Sequence, residues 1–383
     1  MKELFGNIDP ERCVDTLRDL VSRYSESGNE AKVGEYVLER LAACGFHVEK
    51  QSVSDTSFNV IGRLSVPNPS YTAMFSGHLD TVSIANGWTR DPLSLQVDGD
   101  RLYGLGAADM KGGICAVLEM LRAMNESGIT PAGDIVVAFF VDEEGFSRGA
   151  RLFMDRGIKP DFCILCEPHF NEVVVGWPGK TLLRCSVQGK TAHGSTPWEG
   201  VNAIDEAASL IVGLSRLTGL SHPELGSHPY VVLSVRGGSE KYSLSVPDTC
   251  EIVISKQTVP GETEEVVLDA VGRVKEDALC RGTAVIEIGD PFYPPAEIAR
   301  DHPVVEGLLT AFRKVTGRTI HPQYGKGVCD GNLLVGQQGI PTVCFGPSGG
   351  PIHAPDEWVS LEQIIVSARV YGTIALNGVD VHE

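Results

Sequence analysis

The chain has 383 residues, 42% of them hydrophobic and 21% charged, which is too long for one ordinary core and suits two domains or one domain with a large insertion. Its formal net charge of −18, from 32 basic and 50 acidic residues, would repel a phosphate backbone and excludes nucleic acid and anionic membrane as natural partners. No apolar stretch approaches the roughly 18 residues of a membrane-spanning helix, and the opening MKELFGNIDPERC lacks the pattern of a secretory signal.

In chain order, Asp9 to Tyr24 and Asn29 to Cys44 carry apolar residues at helical spacing. FNVIGRL, YTAMF, DIVVAFFV, DFCILC and PTVCFG are short apolar runs separated by helical segments such as GGICAVLEMLRAM and VVEGLLTAFRKVTG. That alternation predicts an α/β fold with a central, mostly parallel sheet flanked by helices. The ten cysteines are scattered, several of them (Cys115, Cys163, Cys185, Cys344) inside apolar runs, as expected of reduced thiols in a cytoplasm. Cys163 and Cys166 make a CxxC, but with no second pair at zinc-ribbon spacing they read as part of a buried strand.

From Trp177 to Gly289 the pattern changes to half-exposed strands, TLLRCSVQG, YVVLSVRGG, CEIVISKQTV and TAVIEIG, and two amphipathic helices, VNAIDEAASLIVGLSRL and ETEEVVLDAVGRVKEDAL. The order strand, helix, strand, strand, helix, strand predicts an inserted α+β, ferredoxin-like domain at 178–289, with a discontinuous main domain at 1–177 and 290–383.

The apolar strands of the main domain end alike. His78 and Asp80 follow YTAMFSG, Asp142-Glu143-Glu144 follow DIVVAFFV, Glu167 follows DFCILC, and His353 follows PTVCFGPSGGPI. In an open parallel sheet the carboxyl ends of the strands share one edge, where ligand crevices form, so these side chains converge. The glycine-rich turn GLGAADMKGG adds Asp109.

Two imidazoles and at least three carboxylates in one crevice repel each other unless balanced, and a pair of divalent cations supplies the balance. Histidine with carboxylate oxygens suits zinc, with cobalt or manganese as substitutes. Asp80, two residues along an extended chain from His78, is placed to orient that imidazole through its far nitrogen. Glu143 and Glu144 cannot both face one way on an extended backbone, so one binds metal and the other is free to act as a general base. The local sequence leaves open which is which.

GHLDTV, GWTRDPLSLQVDGDRLYGLGAADMKGG, VDEEGFSRGA, ILCEP, GKTAHGSTPWEGVNAI and IHAPDE together resemble, in order and over nearly the whole chain, the family of acetylornithine deacetylase, succinyl-diaminopimelate desuccinylase, aminoacylase and glutamate carboxypeptidase. The resemblance implies a zinc-exopeptidase-like fold and a co-catalytic dizinc amide hydrolase. His78, Asp109 and Glu167 would hold one zinc, and the bridging Asp109, Glu144 and His353 the other. Asp80 would orient His78 and Glu143 would be the base for the attacking water. The inserted domain would be a lid that also forms a homodimer, and its His193 would polarise the scissile carbonyl or stabilise the oxyanion, with the second subunit's site within its reach. The substrate would be an N-acyl amino acid or a small peptide, with deacylase and dipeptidase or carboxypeptidase chemistry both open.

Two positions depart from the family pattern. Gln257, preceded by Lys256, stands where relatives carry an arginine for a substrate carboxylate, and Leu244 where they tend to carry an asparagine. Glutamine cannot form a charged fork, so either Lys256 is the substrate anchor or the substrate has no carboxylate there. Taken singly, each motif reads blandly: a hydrogen-bonded histidine, a solvated acidic loop, an exposed turn at His193. Their joint placement at successive strand ends carries the functional reading. GPSGG fits the G-x-S-x-G pattern of serine hydrolases but has Pro347 at the elbow and too little chain after it. GLGAAD lacks the third glycine of a dinucleotide fingerprint. A silent relative that serves as a binding module is disfavoured by the presence of all five ligand candidates together with Glu143.

Overall fold

The computed structural model describes residues 6–239, 241, 243–278 and 281–379. They form two compact units: one from the chain up to Gly176 with Ile298–Tyr324 and the chain from Cys329 onward, the other from Trp177–Glu297 with Gly325–Val328. The boundary expected at residue 289 falls inside a strand that runs on to Tyr293, through a register shift after Gly289.

The strands of the first unit are β1 (His47–Ser54), β2 (Ser57–Leu64), β3 (Thr72–His78), β4 (Gln96–Asp98), β5 (Arg101–Tyr103), β6 (Asp134–Phe140), β7 (Phe162–Leu165) and β8 (Glu172–Trp177). In the second unit they are β9 (Gly179–Gln188), β10 (Tyr230–Gly237), β11 (Thr249–Thr258), β12 (Thr283–Tyr293) and β13 (Ala296–Glu297). Back in the first unit come β14 (His321–Tyr324), β15 (Thr342–Cys344), β16 (Gly349–Gly350) and β17 (Trp358–Ser360).

The main sheet runs β1-β2-β6-β3-β7-β15-β8. Its centre is parallel, β3 lying between β6 and β7, and β7 beside β15, while β1, β2 and the β15–β8 contact are antiparallel. This is the mixed, mostly parallel architecture predicted from the apolar runs. β3 and β6 are buried from their second residue onward, because both faces of the sheet are covered. The core includes Leu17, Val37, Phe75, Val137, Phe345 and Tyr371. The helix Pro10–Val21 starts where Asp9 caps the Glu11 amide at 2.9 Å and Pro10 fixes the first turn. Among the described residues no helix is long and apolar enough to cross a membrane.

The register aligns the strand ends that matter. His78 stands opposite Phe140, and Ser76 opposite Leu165, so the residues after β3, β6 and β7 leave the sheet along one edge.

The second unit is a four-stranded antiparallel sheet ordered β10-β11-β9-β12, with the helices Ala203–Leu214 and Glu264–Ala278. Its own core gathers Leu183, Ile252, Ile254, Leu210 and Val271. This is the expected split βαβ arrangement; Leu279, the last residue of the second predicted helix, lies outside the described residues.

Candidate metal centre and active site

His78, the last residue of β3, is buried, and its ring is fixed from one side: Nδ1 lies 2.9 Å from the backbone oxygen of Asp80. A carbonyl oxygen only accepts, so Nδ1 carries a proton and Nε2 is the nitrogen turned toward the acids of the site. The orienting contact thus comes from the Asp80 main chain. The Asp80 carboxylate, expected to do this job, stands 3.6 Å from Nδ1 and has other partners. It accepts the amides of Glu143 and Glu144, each at 3.1 Å, and the Ser27 hydroxyl at 2.7 Å. The correction has a simple cause: β3 ends at His78, so the alternation of an extended chain does not continue to residue 80.

Glu143 and Glu144 lie on a turn rather than on extended backbone. Asp142 before them has φ 64, a left-handed conformation held by Arg148, whose Nε and Nη2 donate to its carboxylate at 2.7 and 2.9 Å. The buried Glu30 accepts the Asp142 amide at 3.2 Å.

Asp109 sits in the turn after Gly106, whose φ of 71 and close approach to Thr81 leave no room for a side chain. Its two carboxylate oxygens face different histidines: Oδ1 is 3.1 Å from His78 Nε2, and Oδ2 is 3.2 Å from His353 Nε2. His353 Nε2 is also 2.7 Å from Glu144 Oε1, and His78 Nε2 is 3.8 Å from Glu167 Oε1. His78, Asp109 and Glu144 offer ligand atoms that all lie within 4.8 Å of one another.

The electrostatics are those of a site built around positive charge. Burial pushes the Glu167 carboxyl up to about 8 and the Glu143 carboxyl well above the usual range, against the pull of His78. Hydrogen bonds to Asp109 and Glu144 raise His353 to about 10. Burial alone would depress His78, but the charge of Glu167 and the Asp109 hydrogen bond raise it well above the usual imidazole range. For Asp109 burial opposes ionisation, and the hydrogen bonds from His353 and His78 overcome it and hold the carboxyl low. Glu167 Oε1 is buried with no hydrogen-bond partner. An orphaned carboxylate oxygen 3.8 Å from one imidazole nitrogen, with a two-faced aspartate between that imidazole and a second, is a donor set that fits divalent metal.

Two acids near this centre were not singled out from sequence. Asp330, the first residue of the helix Asp330–Gly336, is buried, and its burial pushes the carboxyl up to about 7. Glu357 accepts backbone amides of the turn that carries Asp109. Both lie in stretches, KGVCDGN and IHAPDE, where no spacing rule marks an acid as buried.

The remaining candidates lie in the second unit. His193 is exposed, its Nδ1 2.7 Å from the Ser195 hydroxyl. Lys256 is not available as a substrate anchor. It is fully buried, with Nζ 3.0 Å from the His228 oxygen, 2.7 Å from the Gln257 oxygen and 3.1 Å from Glu262 Oε2. An ammonium has three protons, and all three are engaged inside the unit. Cys163 and Cys166 are free, buried thiols, and burial raises both well above the ordinary thiol range.

The acetylornithine deacetylase of Pectobacterium carotovorum is 30% identical over 337 residues, 84% of each chain. Among solved structures, aminopeptidase PepT of Bacillus cereus superposes with a TM-score of 0.79 at 24% identity, covering 96% of this chain and 98% of that one. The YXEP protein of Bacillus subtilis, a dinuclear metal-binding peptidase, gives a TM-score of 0.74 at 16% identity, with 97% and 99% covered. The sequence model for Peptidase family M20/M25/M40 matches residues 74–377, most of the chain, and the protein belongs to that family.

Proposed function

We propose that this M20 hydrolase cleaves the amide bond of an N-acyl amino acid or small peptide with the help of two divalent cations, zinc by preference and cobalt or manganese as substitutes. The observation that carries the reading is the pair of contacts made by Asp109, one oxygen toward His78 and the other toward His353. A carboxylate so placed is suited to bridge two cations, with Glu167 completing the ligands on the His78 side and Glu144 those on the His353 side. Bound there, the cations would polarise the scissile carbonyl and lower the pKa of water.

The chain's own residues do the rest. Glu143 is held by the Asp80 carboxylate through its backbone, which leaves its side chain free to take the proton of the attacking water and deliver it to the departing amine. His193, exposed on the second unit, is the candidate donor to the developing oxyanion, a kind of contact worth roughly 100 to 1000-fold in rate. The second unit would serve as lid and homodimer interface. Its free, buried cysteines fit a reducing cytoplasm.

The deacylase reading is favoured by the similarity to an acetylornithine deacetylase. Since Lys256 is sequestered, a substrate without a carboxylate at the usual anchoring point fits this chain better than one that needs it. Purified protein loaded with zinc, cobalt or manganese and offered a panel of acylated amino acids and dipeptides should release free amine from at least one class, and none after chelation. Failure on every member of the panel, with metal bound, would remove the enzyme reading.

A further inference from the structure

We infer that Glu357 is a positioning residue for the metal centre, holding Asp109 in its two-faced orientation by gripping the backbone of the turn that carries it. The inference rests on the dimetal reading above and adds a residue that touches no ligand side chain.

Asp109 needs such support. Within Ala107–Lys111 the backbone at Asp109 (φ −117, ψ 94) and Met110 (φ −130, ψ 36) departs from helical geometry, so the regular ladder of a helix does not fix it. Glu357 supplies the missing acceptors. Its Oε2 takes the Gly106 amide at 2.9 Å, and its Oε1 takes the amides of Ala108 and Asp109 at 2.8 and 3.0 Å. Its own backbone oxygen accepts the Gly104 amide at 3.0 Å. Four hydrogen bonds therefore join residue 357 to residues 104–109.

Glu357 is 2% exposed, so these bonds are made away from competing water. Glu357 precedes β17, whose Trp358 pairs with Tyr103 of β5, so the grip is anchored to a sheet.

The same short segment carries His353, whose Nε2 faces Asp109 Oδ2 at 3.2 Å. Residues 353 to 357 thus place one metal ligand with a side chain and set the backbone of a second. Because Asp109 is shared by both cation positions, a slackened turn would weaken both. Outer residues that orient metal ligands typically contribute about 10 to 100-fold in metal affinity or activity. Charge and acceptor capacity both matter here: a glutamine could still take two amides on its oxygen, but its nitrogen would set donor against donor at Gly106.

The test is a cobalt(II) titration of the full-length chain after chelator treatment, followed by visible absorption and by competition with a chromophoric chelator, for wild type, Glu357→Gln and Glu357→Ala. Wild type should bind two cobalt ions per chain. Glu357→Ala should bind cobalt at least about 10-fold more weakly with a changed visible spectrum, and Glu357→Gln should fall between them. Wild-type affinity and spectrum in Glu357→Ala, even with a lowered Tm, would show a merely structural role and overturn the inference. If Glu357→Ala does not fold, Glu357→Gln decides by the same criteria. A wild-type chain that binds no cobalt would instead defeat the dimetal reading on which the inference stands.

Discussion

The Asp80 carboxylate accepts the amide of Glu143 at Oδ1 and that of Glu144 at Oδ2, both at 3.1 Å, while its backbone oxygen accepts Nδ1 of His78 at 2.9 Å. One residue therefore orients a histidine with its main chain and the two following acids with its side chain. Asp80→Ala keeps the first function and loses the second. The variant should hold metal at the wild-type stoichiometry while kcat falls about 10 to 100-fold, as measured by metal analysis beside steady-state kinetics. Wild-type kcat in Asp80→Ala would show that the carboxylate's hold on Glu143 and Glu144 does not matter to turnover.

Glu143→Ala removes the proposed base without touching the facing pairs His78–Asp109 and His353–Glu144. Bound metal should be unchanged and kcat should drop by about 100 to 10,000-fold. Retained turnover in that variant would overturn the assignment.

Lys256 and Glu262 form a buried pair, 3.1 Å apart and 0% and 2% exposed at their side chains. Lys256→Met leaves Glu262 charged, buried and unpaired, which should destabilise the protein by about 3 to 5 kcal/mol in denaturant unfolding. The KM for carboxylate-bearing substrates should stay at the wild-type value; a rise would restore Lys256 as an anchor.

The metal-free protein should lose stability as pH rises. Glu167 at about 8 and Glu143 well above its usual range bind protons in the folded state that the unfolded chain releases near 4. His353 at about 10 keeps a proton that the unfolded chain loses near 6.5. All are raised, so the folded state binds more protons than the unfolded one between about pH 5 and 9, and their stabilising effect disappears across that window. Asp109, held low, acts the other way and only in acid, where its contribution is lost. Tm of chelator-treated protein should therefore fall from pH 5.5 to 9, and zinc should flatten the slope. A rising Tm would contradict the sign.

Much of this was legible in the sequence, for identifiable reasons. YTAMF and DIVVAFFV are buried on both faces, so unbroken apolar runs marked β3 and β6 and, with them, the edge where His78 and the Glu143–Glu144 pair emerge. β1, HVEKQSVS, carries no strand signal because it is half exposed and only Val48 and Val53 in it are apolar, out of phase with each other. Asp109, a lone acid in a glycine turn, was found because only such a turn brings a carboxylate that close to the strand ends. Of the two alternatives the sequence leaves at Lys256, the strand phase already favours the one without an anchor: Cys250, Ile252, Ile254 and Lys256 are in phase on β11, and all four are buried, which places the lysine on the inner face and Gln257 on the other. The carboxylate of Asp80 and the grip of Glu357 were out of reach, since both bind main-chain amides, and a backbone donor leaves no mark on residue type.

The most direct test of the dimetal account is anomalous diffraction at the zinc edge from crystals grown with zinc. Two peaks should flank Asp109, one against His78 and Glu167, the other against Glu144 and His353. A single peak, or an Asp109 carboxylate turned away from both histidines, would contradict it.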